Sequence, residues 1–72
     1  MKEVYVVLSA PKANTLDNFN LILGAATTLE EARDIFISHL DENESIIRVT
    51  AKDAHYYYYT NLGSYRITKM YV

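Results

Sequence analysis

The chain has no cysteine and no tryptophan, a single proline, Pro11, and two glycines, Gly24 and Gly63, in 72 residues. Without cysteine, neither a disulfide framework nor a thiolate zinc site can brace a small fold. Two isolated glycines make no phosphate-cradling loop, so nucleotide binding has no motif behind it. The apolar run at residues 4–8 is too short for the central region of a signal peptide, and no run approaches the ~20 apolar residues of a membrane span. A soluble, cytoplasmic protein without membrane contact is expected. Histidine is scarce as well: His39 and His55 are the only side chains whose ordinary pKa lies near neutrality.

Half of the residues are hydrophobic and 22% are charged, the balance of a folded chain rather than a disordered tail. The length allows one domain over residues 1–72 with one modest core. A chain of this size buries only ~60% of the surface its unfolded form exposes. A helping partner is therefore expected, and a homodimer is the simplest.

Residues 27–40 carry the clearest pattern. Thr28 stands three residues before Glu31, the spacing of a capping box, and Thr27 with Glu30 repeats it one residue earlier. Glu30, Glu31 and Asp34 crowd the positive end of the helix dipole, and His39 lies in the last turn. Leu29, Ala32, Ile35, Phe36, His39 and Leu40 recur at three- and four-residue spacing and form the face to be buried.

Around this helix the chain reads as short strands. Residues 4–8 form an apolar, branched run expected in the middle of the sheet, covered on both faces. Residues 9–15 form a loop, and Phe19, Leu21 and Leu23 alternate in a second strand antiparallel to the first. After an acidic connector at 41–45, residues 46–51 read as a strand, and residues 55–60 with 65–72 form a C-terminal hairpin. In the final strand Tyr65, Ile67, Lys69 and Tyr71 share one face and Arg66, Thr68, Met70 and Val72 the other. With neither face cleanly apolar, a bulge or an edge position is expected there. The fold class is α+β: one antiparallel or mixed sheet of four to five strands with a single helix packed on one face, in ββαββ order.

The opening residues 4–7, the strand end Leu21-Ile22-Leu23-Gly24, the helix start Thr28-Leu29-Glu30-Glu31-Ala32 and the closing Tyr65-Arg66-Ile67 together resemble small uncharacterised ββαβ proteins of bacteria and their phages. The resemblance implies a phage or mobile-element accessory protein, of a kind that binds a host protein and inhibits or adapts it, anti-defence inhibitors among them. It carries over no functional residue.

The inventory for catalysis is thin. Asp53 and His55 project to one side of an extended chain, but no third ligand is specified for a metal. Ser9, Ser38, Ser45 and Ser64 lack nucleophile-elbow context. The chain is read as non-enzymatic, with no cofactor and no metal.

Two features stand out from this background. Residues 1–47 hold three cations against eight carboxylates, and residues 48–72 hold four cations against one, so the charge is two-sided. Glu30, Asp34 and Asp41, continued by Glu42 and Glu44, form an acidic surface: either a solvated helix face or a phosphate-like surface for a basic groove on a partner. Tyr56, Tyr57, Tyr58, Tyr59, Tyr65 and Tyr71, interleaved with Arg48, Lys52, Arg66 and Lys69, either pack on the helix by alternation or face a ligand. Outward tyrosines suit a protein interface, or base stacking on single-stranded nucleic acid. The acidic overall charge favours a host or self protein, with nucleic acid second. The surplus tyrosines would be covered in a homodimer.

Overall fold

The computed structural model describes residues 2–10 and 21–72. Most of the loop expected at 9–15, and the start of the second strand at Phe19, lie outside the described residues. Strands β1 (Glu3–Ser9) and β2 (Leu21–Ala26) precede helix α1 (Leu29–Ser38), and β3 (Ile46–Lys52), β4 (His55–Thr60) and β5 (Ser64–Tyr71) follow it. The chain is α+β, with one five-stranded sheet paired antiparallel throughout in the spatial order β2-β1-β5-β4-β3.

Three expectations are corrected. The element order is ββαβββ rather than ββαββ: residues 46–52, the tyrosine run and the closing residues are three strands after the helix, the tyrosine run pairing with β3 on one side and β5 on the other. The final strand is not an edge: β5 is the centre of the sheet, and β1 lies beside it between β5 and β2. Nor is β1 covered on both faces as expected: Val7 is buried under the helix, whereas Val4, Val6 and Leu8 are half-buried on the other side. The mixed faces of β5 are those of a strand covered on one side only, with Tyr65 and Ile67 toward the helix and Arg66 and Thr68 away from it. The register shifts fall in other strand pairs, β1 with β2 at Val7/Leu8 and β3 with β4 at Ile46/Arg48.

One layer of core lies between sheet and helix. Val7, Ala32, Phe36, Tyr58, Tyr65 and Ile67 are buried together, with Tyr5, Leu23, Ala26, Leu29, Ile35, Leu40 and Tyr56 packed around them. The Phe36 ring sits 4.8 Å from the rings of both Tyr58 and Tyr65, joining the helix to β4 and β5. On the other flank the helix comes down close to β2, because a Cβ at Gly24 would lie 3.1 Å from Cγ2 of Ile35. His39 leaves the apolar face that periodicity gave it. It is exposed at the C-cap, where its Nδ1–H donates to the Ile35 carbonyl at 2.9 Å.

Thr28 is the N-cap, and its Oγ accepts the Glu31 N–H at 3.1 Å. The Glu31 carboxylate accepts from the hydroxyls of Thr28 at 3.0 Å and Thr27 at 3.3 Å, so both threonines are tied to the first turn through one side chain. Thr28→Ala should lower stability by about 1 kcal/mol. Denaturation midpoints that are unchanged in Thr28→Ala and in Thr27→Ala would remove the capping account.

Candidate interaction surface

Strand alternation divides the four consecutive tyrosines between the two faces of the sheet. Tyr56 pairs with Ile67 and Tyr58 with Tyr65, so these two face the helix, and Tyr58 is buried. Tyr57 and Tyr59 face the other way, on a side of the sheet that α1 does not cover. Cross-strand partners share a face, so the registers define this surface residue by residue. One row across the five strands reads Thr50, Tyr57, Arg66, Leu8, Ile22, and the next reads Lys52, His55, Thr68, Val6, Ala25. Arg48 and Tyr59 extend the surface beyond the first row, and Met70 with Val4 extends it beyond the second.

The surface has two halves. On β1 and β2 it is apolar, with half-buried Val4, Val6 and Leu8 beside exposed Ile22, and exposed Met70 from β5 joins them. On β3 and β4 it is aromatic and basic. The His55 and Tyr57 rings are 6.1 Å apart, those of Tyr57 and Tyr59 are 6.5 Å apart with their planes within 14°, and the Arg48 guanidinium lies 5.7 Å over the Tyr59 ring. His55 is hydrogen-bonded through Nδ1 to the Thr68 hydroxyl at 3.0 Å, which fixes the end of this ring ladder. Arg48, Lys52 and Arg66 supply three cations, and no described strand position of this face carries a carboxylate.

The other residues singled out in the sequence fall elsewhere. Glu30, Asp34, Asp41 and Glu42 are exposed in the helix layer and its connector, on the side opposite the basic face. Lys69 is separated from Arg66, because it lies on the helix side of β5, 5.9 Å from the Tyr71 ring. There Tyr71, and after it Glu3, keep its ammonium protonated to higher pH than usual.

Glu44 is no part of the acidic surface: it is 8% exposed, and its carboxylate accepts from the Thr60 hydroxyl, the Tyr65 phenol at 2.9 Å and the Asp41 N–H at 3.1 Å. A buried carboxylate with three donors ties the connector to β4 and β5. Burial, and then the hydrogen bond and charge of Glu44, push the Tyr65 phenol up to about 12. The folded state therefore holds this proton more tightly than the unfolded chain, whose tyrosine titrates near 10. The resulting stability is complete below pH 10 and is lost as pH rises toward 12. In an alkaline titration followed at the tyrosinate absorption, Tyr65 should ionise last and together with unfolding. Ionisation of all seven tyrosines near pH 10 with the fold intact would contradict this.

Arg48, Lys52 and His55 complete the ring-and-cation cluster; the sequence reading named the two cations beside the tyrosines but not His55, nor which of these residues share a face. A signal for them was present: Arg48, Thr50 and Lys52 are spaced by two, like Tyr57 and Tyr59, and a hairpin register makes them one face. Among the described residues no group of three or more His, Cys, Asp or Glu side chains converges to hold a metal, and no helix is long and apolar enough to cross a membrane. No family model, curated protein or solved structure matches the chain. The reading of the surface rests on its own chemistry.

Proposed function

We propose that the chain is a small non-enzymatic interaction module that binds a protein partner through the uncovered face of its sheet. The observation that carries this reading is the joining of an apolar half and a tyrosine–arginine half in one surface without a strand carboxylate. Tyrosine, arginine and methionine are the side chains enriched in protein interfaces, and acidic residues are depleted there. The partner that fits is a protein surface with an apolar centre and carboxylates at one side, which Arg48, Lys52 and Arg66 would meet. Inhibition or adaptation of a host protein, as the sequence resemblance implies, is the form this binding takes.

A double substitution, Tyr57→Ser with Tyr59→Ser, should abolish capture of the partner from a host lysate while leaving the circular dichroism unchanged, since neither ring belongs to the core cluster. Glu30→Gln with Asp34→Asn should leave capture intact. The reverse pattern would move the binding surface to the helix.

One observation favours a second reading, single-stranded nucleic acid: the near-parallel Tyr57 and Tyr59 rings with Arg48 beside them have the makings of a stacking platform. Phosphate contacts release counterions, so such binding would weaken steeply with salt. A labelled oligonucleotide shifted by micromolar protein at low salt, released by added salt and unshifted by the tyrosine double variant, would replace the protein reading with this one.

A further inference from the structure

β3 ends the sheet, so one side of its backbone faces no further described strand. Natural edges are blunted by proline, by charges on the inward face, by bulges or by a covering element. β3 contains no proline, and its cations Arg48 and Lys52 lie on the face away from the helix. Its register shift at Ile46/Arg48 leaves residues 48–52 as a regular edge. Helix α1 crosses β2, β1 and β5 and stops short of β3.

The uncovered strip on the helix side is apolar. Val49 pairs with Tyr58 and Ala51 with Tyr56, which places both on that side, and Val49 is 56% exposed. Ile46 and Ile47 at the start of the strand are exposed as well. The helix adds one more apolar group. Ile35 packs over Gly24 of β2 and Phe36 lies on Tyr58 and Tyr65, so at ~100° per residue Ile37 points to the opposite flank, toward β4 and β3. Ile37 is half exposed there.

We infer that this edge and shelf form a docking surface for a second copy of the chain, β3 against β3, antiparallel about a two-fold axis at Val49. The sheet would run on through the axis as ten strands, with Val49 against Val49 and Arg48 against Thr50 in the regular part of the edge, and Lys52 reaching the bulged start of the other strand. The apolar strips of the two copies then form one trough between the two helices. Charge selects this occupant and this direction. The acidic connector with Asp41 and Glu42 leads into the start of β3, and Lys52 closes its end. Antiparallel pairing sets Lys52 of each copy beside the connector of the other, whereas parallel pairing sets like charges together. A two-fold axis repeats each contact, so a strand that is entered from an acidic connector and closes on Lys52, with Asp53 already in the turn beyond it, is self-complementary. The Tyr57 and Tyr59 rings stay open in this dimer; Lys52 is shared with the proposed partner site, so Val49→Lys, on the other face of β3, is the variant that separates the two.

Sedimentation of the full chain over micromolar concentrations tests it. Wild type should sediment at twice 8.3 kDa. Val49→Lys puts a charge on the inward side of the edge and should give the monomer with unchanged circular dichroism. Lys52→Glu should weaken the dimer, and Glu42→Lys added to it should restore association. Tyr57→Ser should leave the dimer intact. A monomer for wild type across the range, or a dimer indifferent to Val49→Lys, overturns the inference. Loss of the dimer in Tyr57→Ser also overturns it and moves self-association to the open face. If an extended peptide from another protein occupied this edge instead, wild type alone would be monomeric.

Discussion

Phe36→Ala is expected to unfold the protein or bring it to the brink of unfolding. The Phe36 side chain is 1% exposed and lies against two tyrosine rings contributed by different strands. Truncating a buried phenylalanine costs about 3–5 kcal/mol in lost transfer energy and cavity. A domain of this length holds about 4–11 kcal/mol in total. One side chain is thus comparable with the whole stability, because there is a single core layer and no disulfide behind it. Phe36→Leu, which keeps most of the volume, should retain the fold with a lowered urea midpoint. A Phe36→Ala protein with the wild-type midpoint would mean that the helix does not pack as described.

The second large effect is expected at Glu44. Its carboxylate is the shared acceptor for Thr60, Tyr65 and the Asp41 backbone, so Glu44→Ala leaves the Tyr65 phenol and the Asp41 N–H to find new acceptors and the Thr60 hydroxyl with the Gly63 carbonyl. Buried donors without partners cost about 1–3 kcal/mol each, and local water recovers part of this. A net loss of about 3 kcal/mol is the expected outcome in chemical denaturation. Glu44→Gln, which keeps an acceptor oxygen, should lose less. The Glu44→Ala variant should also lose the Glu44 contribution to the raised Tyr65 ionisation, bringing that phenol closer to its ordinary range. Equal midpoints for Glu44→Ala and for an exposed control such as Glu42→Ala would show that Glu44 is a surface residue after all.

Much of the fold was legible where the signal is local. The helix announces itself through a cap and a period contained in its own residues, Thr28 with Glu31 and the line from Leu29 to Leu40. The strands were legible from branched and aromatic runs, and the hairpin of residues 55–60 with 65–72 from its short turn, while a mixed sheet stayed open as an alternative to the antiparallel one observed. Position within the sheet was not, because strand order is decided by contacts between distant segments. β5 read as an edge for its mixed faces, yet it is the strand both sides of the sheet share. Which tyrosines face the core was equally hidden: residues 56–59 are identical, so either parity satisfies the sequence, and Phe36 with Tyr65 selects Tyr58. Glu44 stands in an acidic run whose other members are exposed, and its donors lie 16 and 21 residues further along.

The same physics explains the candidate surface. One helix cannot cover both faces of a five-stranded sheet, so among the described residues one face has no helix over it, and the composition of that face is what the proposed binding rests on. In a protein that is acidic overall, the open face collects three cations and two outward tyrosines, while the helix layer carries exposed carboxylates. The molecule is electrically two-sided in space as well as along the chain.

The most direct measurement is a nuclear magnetic resonance titration of isotope-labelled protein with the partner captured from lysate, after nuclease treatment. Resonances of Val4, Val6, Leu8, Tyr57 and Tyr59 should shift or broaden, while those of Glu30, Asp34, Asp41 and Glu42 stay in place. Perturbations confined to the acidic helix layer, with the sheet face silent, would contradict the account.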